Sequence, residues 1–112
     1  MKTTTKIAII GAILPLAASL GYAASAQDNW DNECSSCHGA DGKGATKQGR
    51  KLKLRDYTDA KVQAELKDDE MLKAIVDGVK DDKGKERMKS FKETFSADEA
   101  KDLVAFIRKL KA

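Results

Sequence analysis

Cys34-Ser35-Ser36-Cys37-His38 is the stretch on which the fold turns. Two cysteines three residues apart, with a histidine directly after, match the attachment pattern for c-type haem. The spacing has a chemical reason. Three residues along a helix bring both sulfurs to one side, where each can add to a vinyl group of a porphyrin. His38 then projects over the ring and can place a ring nitrogen on the iron. Three other uses of the pair compete with this one. A thioredoxin-like Cys-x-x-Cys needs a βαβ pattern around it, and no strand pattern is present. A structural zinc site needs four ligands, and the chain holds no further cysteine or histidine. A disulfide between residues so close would close a very small loop and stabilise little.

The N-terminus supports the haem reading. Lys2 and Lys6 form a short basic start without acids, and Ile7 to Leu20 is an apolar run broken by Pro15. Ala24-Ser25-Ala26 then supplies small residues at the spacing signal peptidase needs, so residues 1–26 read as a cleaved secretory signal peptide. The competing reading is an uncleaved anchor, but the run is short of the roughly 20 apolar residues of a membrane span. No cysteine closes it, so a lipoprotein anchor is unsupported. The expected destination is the periplasm, with 27–112 as a single mature domain.

Cleavage leaves 86 of the 112 residues, with 19 positive against 18 negative side chains. The formal +3 of the whole chain is therefore largely the leader's. Charged residues make up 35% of the sequence and aromatics only 5%, with both signs interspersed. That excludes a multidomain enzyme and a disulfide-dense scaffold. It also argues against nucleic-acid binding, which needs a basic face with stacking aromatics. So small and polar a domain has little apolar surface to bury and needs an internal staple. A haem held covalently through Cys34 and Cys37, one per chain, is such a staple.

Periodicity predicts an all-α fold of about four short helices. Trp30, Cys34 and Cys37 recur at i, i+4 and i+7 on a first helix from about Asp28. Gly39 to Gly44, with three glycines, ends it in a tight loop. Thr58 is a candidate cap for a second helix to about Lys67, carrying Val62 and Leu66. Asp68 or Asp69 can cap a third, with Leu72, Ile75, Val76 and Val79 as its stripe and Gly78 near its end. Asp81 to Lys85 reads as a charged turn. Ser96 and Glu99 form a capping-box pattern for the last helix, where Leu103, Phe106, Ile107 and Leu110 fall on one face.

The iron has a second axial position. With no other histidine, methionine is the remaining soft neutral donor. Met71 sits inside the third helix at a core position. Met88 lies in a charged, non-helical stretch that has no packing reason to hold a thioether unless it turns inward, with Phe91 three residues on. Met88 is the expected ligand, and an idle surface methionine is the competing reading. His/Met ligation raises the potential and fills both axial sites, which suits electron transfer.

Taken together, the chain resembles class I cytochrome c, the small soluble monohaem carriers. The resemblance rests on Cys34-Ser35-Ser36-Cys37-His38-Gly39 with Asp41-Gly42-Lys43-Gly44, on Met88 with Phe91, and on the closing helix from Leu103 to Leu110. It implies a small helical bundle wrapped around one haem, with Cys34 and Cys37 as thioether links, His38 proximal and Met88 distal. It also implies that the first and last helices cross beside the haem, bringing Trp30 or its neighbours to Phe106. Two departures stand out. The family usually has a proline after the Gly-rich loop, whose carbonyl orients the histidine. This mature chain has none, so another carbonyl, between Gly49 and Leu54, is expected to serve. A proline often follows the ligand methionine, whereas Lys89 and Ser90 follow here, which predicts a less rigid distal loop.

The expected function is a monomeric periplasmic electron carrier, not itself an enzyme, passing single electrons between a donor and an acceptor complex. No nucleic acid is involved, and no membrane insertion is expected after cleavage. The Lys-rich stretches 43–55 and 80–92 either rim the haem edge and steer docking or are solvated faces. Arg55 and Tyr57 suit haem propionates, although Tyr57 also fits a core aromatic. The alternatives are a sensor or peroxidatic protein with an open iron site, a haem-free thiol redox module, and a dedicated subunit of a larger complex.

Overall fold

The computed structural model describes residues 25–112, together with Gly11. The expected signal peptide, residues 1–26, lies outside the described residues apart from Gly11, Ser25 and Ala26. Helix α1 runs from Ala26 to His38 as three joined pieces, an α-turn Ala26–Asn29, a π-helical turn Trp30–Cys34 and an α-turn Ser35–His38. Ser25 caps it, its side chain accepting from Asp28 N–H. The sequence period predicts a uniform α-helix here. The π turn widens it where the Trp30 carbonyl accepts from Ser35 N–H, a distortion common at functional sites.

Helix α2, Lys47–Leu52, was not expected from the basic, apolar-poor sequence around it. Thr46 caps it, its Oγ accepting from Gly49 N–H at 2.8 Å. Helix α3 is Ala60–Glu65, capped by Asp59 rather than Thr58. Thr58 instead donates its hydroxyl to Asp56 at 2.6 Å. Helix α4, Asp68–Asp77, starts after Lys67 without a side-chain cap. Its three opening acids, Asp68, Asp69 and Glu70, face the positive end of the helix dipole instead. The described residues thus form five helices where about four were expected, and a short antiparallel pair joins them, β1 Val79–Lys80 and β2 Glu86–Met88. The Asp81 carboxylate closes this hairpin by accepting from Lys83 and Lys85 N–H at 2.9 and 2.8 Å. Val79, expected on the α4 stripe, lies on β1 and is exposed.

Helix α5, Ala97–Arg108, carries the expected capping box between Ser96 and Glu99. Its buried stripe is Ala100, Leu103, Val104 and Ile107. With Trp30, Met71, Ile75, Phe91 and Phe95 they form the core. α1 and α5 meet where Trp30 and Phe106 stand 5.4 Å apart between ring centroids, as expected of the crossing helices. The buried Asn29 side chain donates to Glu99 at 3.2 Å across the same junction.

Polar groups fasten α5 to the middle of the chain. Buried Gln63 donates from Nε2 to the carbonyls of Tyr57 at 2.7 Å and Ile107 at 2.9 Å. Arg108 donates to the Gln63 carbonyl at 2.6 Å, the Leu66 carbonyl at 2.8 Å and Asp68 at 2.7 Å. These carbonyls end α3, where the helix leaves them without partners of its own. None of the described helices is long and apolar enough to cross a membrane.

Candidate haem site

The end of α1 is held by the loop that follows it. The His38 carbonyl accepts from Gly44 N–H at 2.7 Å, and the Cys37 carbonyl from Thr46 Oγ at 2.5 Å. α2 can approach this closely because residue 49 is glycine: a Cβ there would stand 2.2 Å from the Gly44 carbonyl oxygen and 2.7 Å from that of Cys37. The motif is thus locked against α2 through backbone and one hydroxyl.

Cys34, Cys37 and His38 all face a cavity of about 630 Å³, walled by apolar side chains of α1, α4, α5 and the hairpin. Both cysteines are free thiols. Burial pushes the Cys34 thiol up to about 11, with Glu33 and Cys37 adding to the effect. Burial also holds the His38 pKa below its ordinary value, which favours the neutral imidazole, the form that binds metals. Its Nδ1 is buried without a hydrogen-bond partner. The carbonyl expected between Gly49 and Leu54 therefore does not serve. The Gly49 carbonyl is used by Leu54 N–H at 2.9 Å, closing the end of α2.

Met88, at the end of β2, lines the same cavity, as do Met71 and Phe91. The distal loop lacks proline, yet it is tied down. Ser90 Oγ donates to the Val76 carbonyl at 2.6 Å, and Phe91 N–H to the Ile75 carbonyl at 3.0 Å. Both acceptors are carbonyls of the last turns of α4, so the loop after Met88 caps that helix. Arg87 donates to the Leu52 carbonyl, and Lys89 pairs with Glu33 at 3.6 Å. The residues on either side of Met88 thereby reach α2 and α1.

Arg55 lines the cavity, and its guanidinium pairs with Glu65 of α3. Tyr57 is mostly buried, which raises its phenol above the ordinary value, and its ring stacks on His38 at 5.3 Å. The lining also includes Leu66, expected with Val62 on the second helix, and Leu52 and Leu54, which the helical period does not single out. Basic Lys53, Arg55, Arg87 and Lys89 on this lining are interspersed with acidic Glu33, Glu70 and Glu86. Among the described residues, no cluster of three or more His, Cys, Asp or Glu could hold a metal ion.

A c-type haem fits this donor set. Two thiols at Cys-x-x-Cys spacing open onto an apolar cavity of cofactor size. An imidazole stands beside them on the same lining, its Nδ1 buried and without a partner.

Comparison with known proteins agrees. The family model described as Cytochrome c matches residues 23–111. Among solved structures, the KustC0563 c-type cytochrome is 30% identical with a TM-score of 0.68, covering 80% of this chain and 100% of that one. A Tyr-to-Phe mutant of Kustc0563 gives 31% identity and a TM-score of 0.65, covering 79% of this chain and 100% of that one. Comparison with curated proteins found no match. With the family matched over most of its length and the motif seated in a cavity that suits the cofactor, this chain belongs to the cytochrome c family of haem-based electron carriers.

Proposed function

We propose that the mature chain is an exported, monomeric one-electron carrier of the periplasm, with His38 and Met88 as the axial pair. When bound, the haem supplies an iron that alternates between ferric and ferrous forms. The observation that carries the reading is that Cys34, Cys37, His38 and Met88, spread over two elements far apart in sequence, line one cavity.

The chain's own residues suit the task. Cys34 and Cys37 hold the group covalently on α1. Neutral His38 offers a lone pair, and Met88 a thioether that carries no charge in either redox state. Leu103 and Ile107 from α5 exclude water from one wall. The Ser90 and Phe91 bonds to α4 limit movement of Met88, so little rearrangement accompanies a change of charge. Arg55, on the cavity lining, would receive a propionate by exchanging its Glu65 partner, whereas Tyr57 contributes its ring to the wall. Donor and acceptor complexes would meet the mixed rim of Lys53, Arg87 and Lys89, and the protein is not itself an enzyme.

The test is expression in a host that matures c-type cytochromes, with absorption spectra of both redox states. Sharp reduced bands on a denaturation-resistant haem, with the weak far-red ferric band of a Met–iron bond, are expected. Covalent haem without that band would replace the carrier with an open-site reading. No covalent haem despite correct export would overturn the assignment.

A further inference from the structure

His38 makes no side-chain hydrogen bond among the described residues, and its buried Nδ1 has no partner. Yet a histidine ring has a broad, roughly two-fold torsional preference of its own. Something else must set its plane. Two aromatic rings stand against it. Tyr57 is stacked on its face, with centroids 5.3 Å apart and planes 21° apart. Trp30 lies 5.7 Å away and tilted by 39°. Trp30 and Tyr57 are themselves only 6.4 Å apart, so they meet His38 from two directions as a corner, not as a sandwich.

Both walls of the corner are fixed. Trp30 is almost fully buried, donates from Nε1 to the Gly39 carbonyl at 3.0 Å and packs on Phe106. The Tyr57 backbone donates to the Gly42 carbonyl at 2.9 Å and accepts from Gln63 at 2.7 Å. The Tyr57 hydroxyl makes no hydrogen bond among the described residues, so the ring face is what it presents to His38.

We propose that Tyr57, backed by Trp30, is the positioning residue that sets the plane of the His38 imidazole, taking over by packing what a carbonyl acceptor would do by hydrogen bonding. This rests on His38 being an axial ligand. Rotating the imidazole about its Cβ–Cγ bond would drive its edge into the Tyr57 ring. Removing that ring frees the rotation, whereas removing only its hydroxyl does not.

The test uses the holoprotein with covalent haem. In the ferrous protein, cross-relaxation is expected between His38 and Tyr57 ring protons. In the ferric protein, the spread of the haem methyl shifts reports the imidazole plane. Tyr57→Phe is expected to reproduce the parent spread, and Tyr57→Leu to change it. Absence of the His38–Tyr57 cross-relaxation overturns the proposal, as does a Tyr57→Leu spread equal to the parent's. A change in Tyr57→Phe as large as in Tyr57→Leu also overturns it and assigns the effect to the hydroxyl. If Tyr57→Leu does not mature, the cross-relaxation and Tyr57→Phe decide. His38 ring protons lacking the large ring-current shift of an axial ligand would instead overturn the ligation reading, which separates the two failures.

Discussion

A Cβ on Gly78 would stand 2.5 Å from the carbonyl oxygen of Met88. The residue that ends α4 and the expected distal ligand are thus in backbone contact, and only glycine fits between them. Gly78 also has φ 75° and ψ −176°, a region almost confined to glycine. Gly78→Ala is expected to cost about 1–3 kcal/mol from backbone strain alone. It should also push the Met88 segment outward. Denaturant unfolding of the holoprotein measures the first effect, and weakening of the far-red ferric band the second.

Met71 and Met88 both line the cavity, but Met71 is a buried α4 core residue, whereas Met88 is half-buried on the hairpin. Met88→Ala is expected to open the iron to carbon monoxide in the ferrous protein with little loss of fold. Met71→Leu, which conserves volume, should cost less than about 1.5 kcal/mol and leave carbon monoxide excluded. Rapid stoichiometric uptake by Met71→Leu but not by Met88→Ala would reverse the assignment.

Gln63→Ala removes the donor shared by the Tyr57 and Ile107 carbonyls and the side-chain acceptor of Arg108 at 3.1 Å. Leaving buried polar groups unpaired costs about 1–3 kcal/mol each. A lowered unfolding midpoint with an unchanged denaturant slope is the expected result. Arg108→Lys should recover little of an Arg108→Ala loss, because an ammonium cannot span the Gln63, Leu66 and Asp68 acceptors as the guanidinium fork does.

Glu99 accepts from Ser96 N–H and Asn29 Nδ2, and these bonds hold its carboxyl below its ordinary value. A group whose pKa is depressed in the folded state contributes stability that is complete above its unfolded pKa. That contribution is lost as pH falls through the lower folded value. Acid titration of the unfolding midpoint should therefore show a loss below the ordinary carboxylate range that is smaller in Glu99→Gln. Identical acid limbs in the two proteins would remove Glu99 from the account of the α1–α5 junction.

The features legible in the sequence are the local ones. The Ser96–Glu99 box spans four residues and is present as read. The crossing of Trp30 with Phe106 follows from two apolar stripes and the family resemblance. α2 is not legible in the sequence because its support comes from outside it, through Thr46 bridging to Cys37 and the close approach at Gly49. The sequence shows only a charged turn at the hairpin, because its strands have two and three residues, too few for an alternating pattern. The expected looseness after Met88 is offset by carbonyls of α4, which no inspection of residues 88–91 could supply.

The sequence by itself determined the covalent haem expected of the family, because Cys34, Cys37 and His38 stand at a spacing of three and four residues that any helical turn respects. It also determined the helical class, through period and caps. Only the tertiary structure decided what surrounds that chemistry. The distal loop is fastened across 14 residues by Ser90 and Val76. α5 is fastened across 45 by Arg108 and Gln63. The His38 plane is left to Tyr57 and Trp30. These contacts pair backbone carbonyls and ring faces, and nearly every residue has a carbonyl. Residue identity therefore does not mark which carbonyl is used until the chain has brought it within reach.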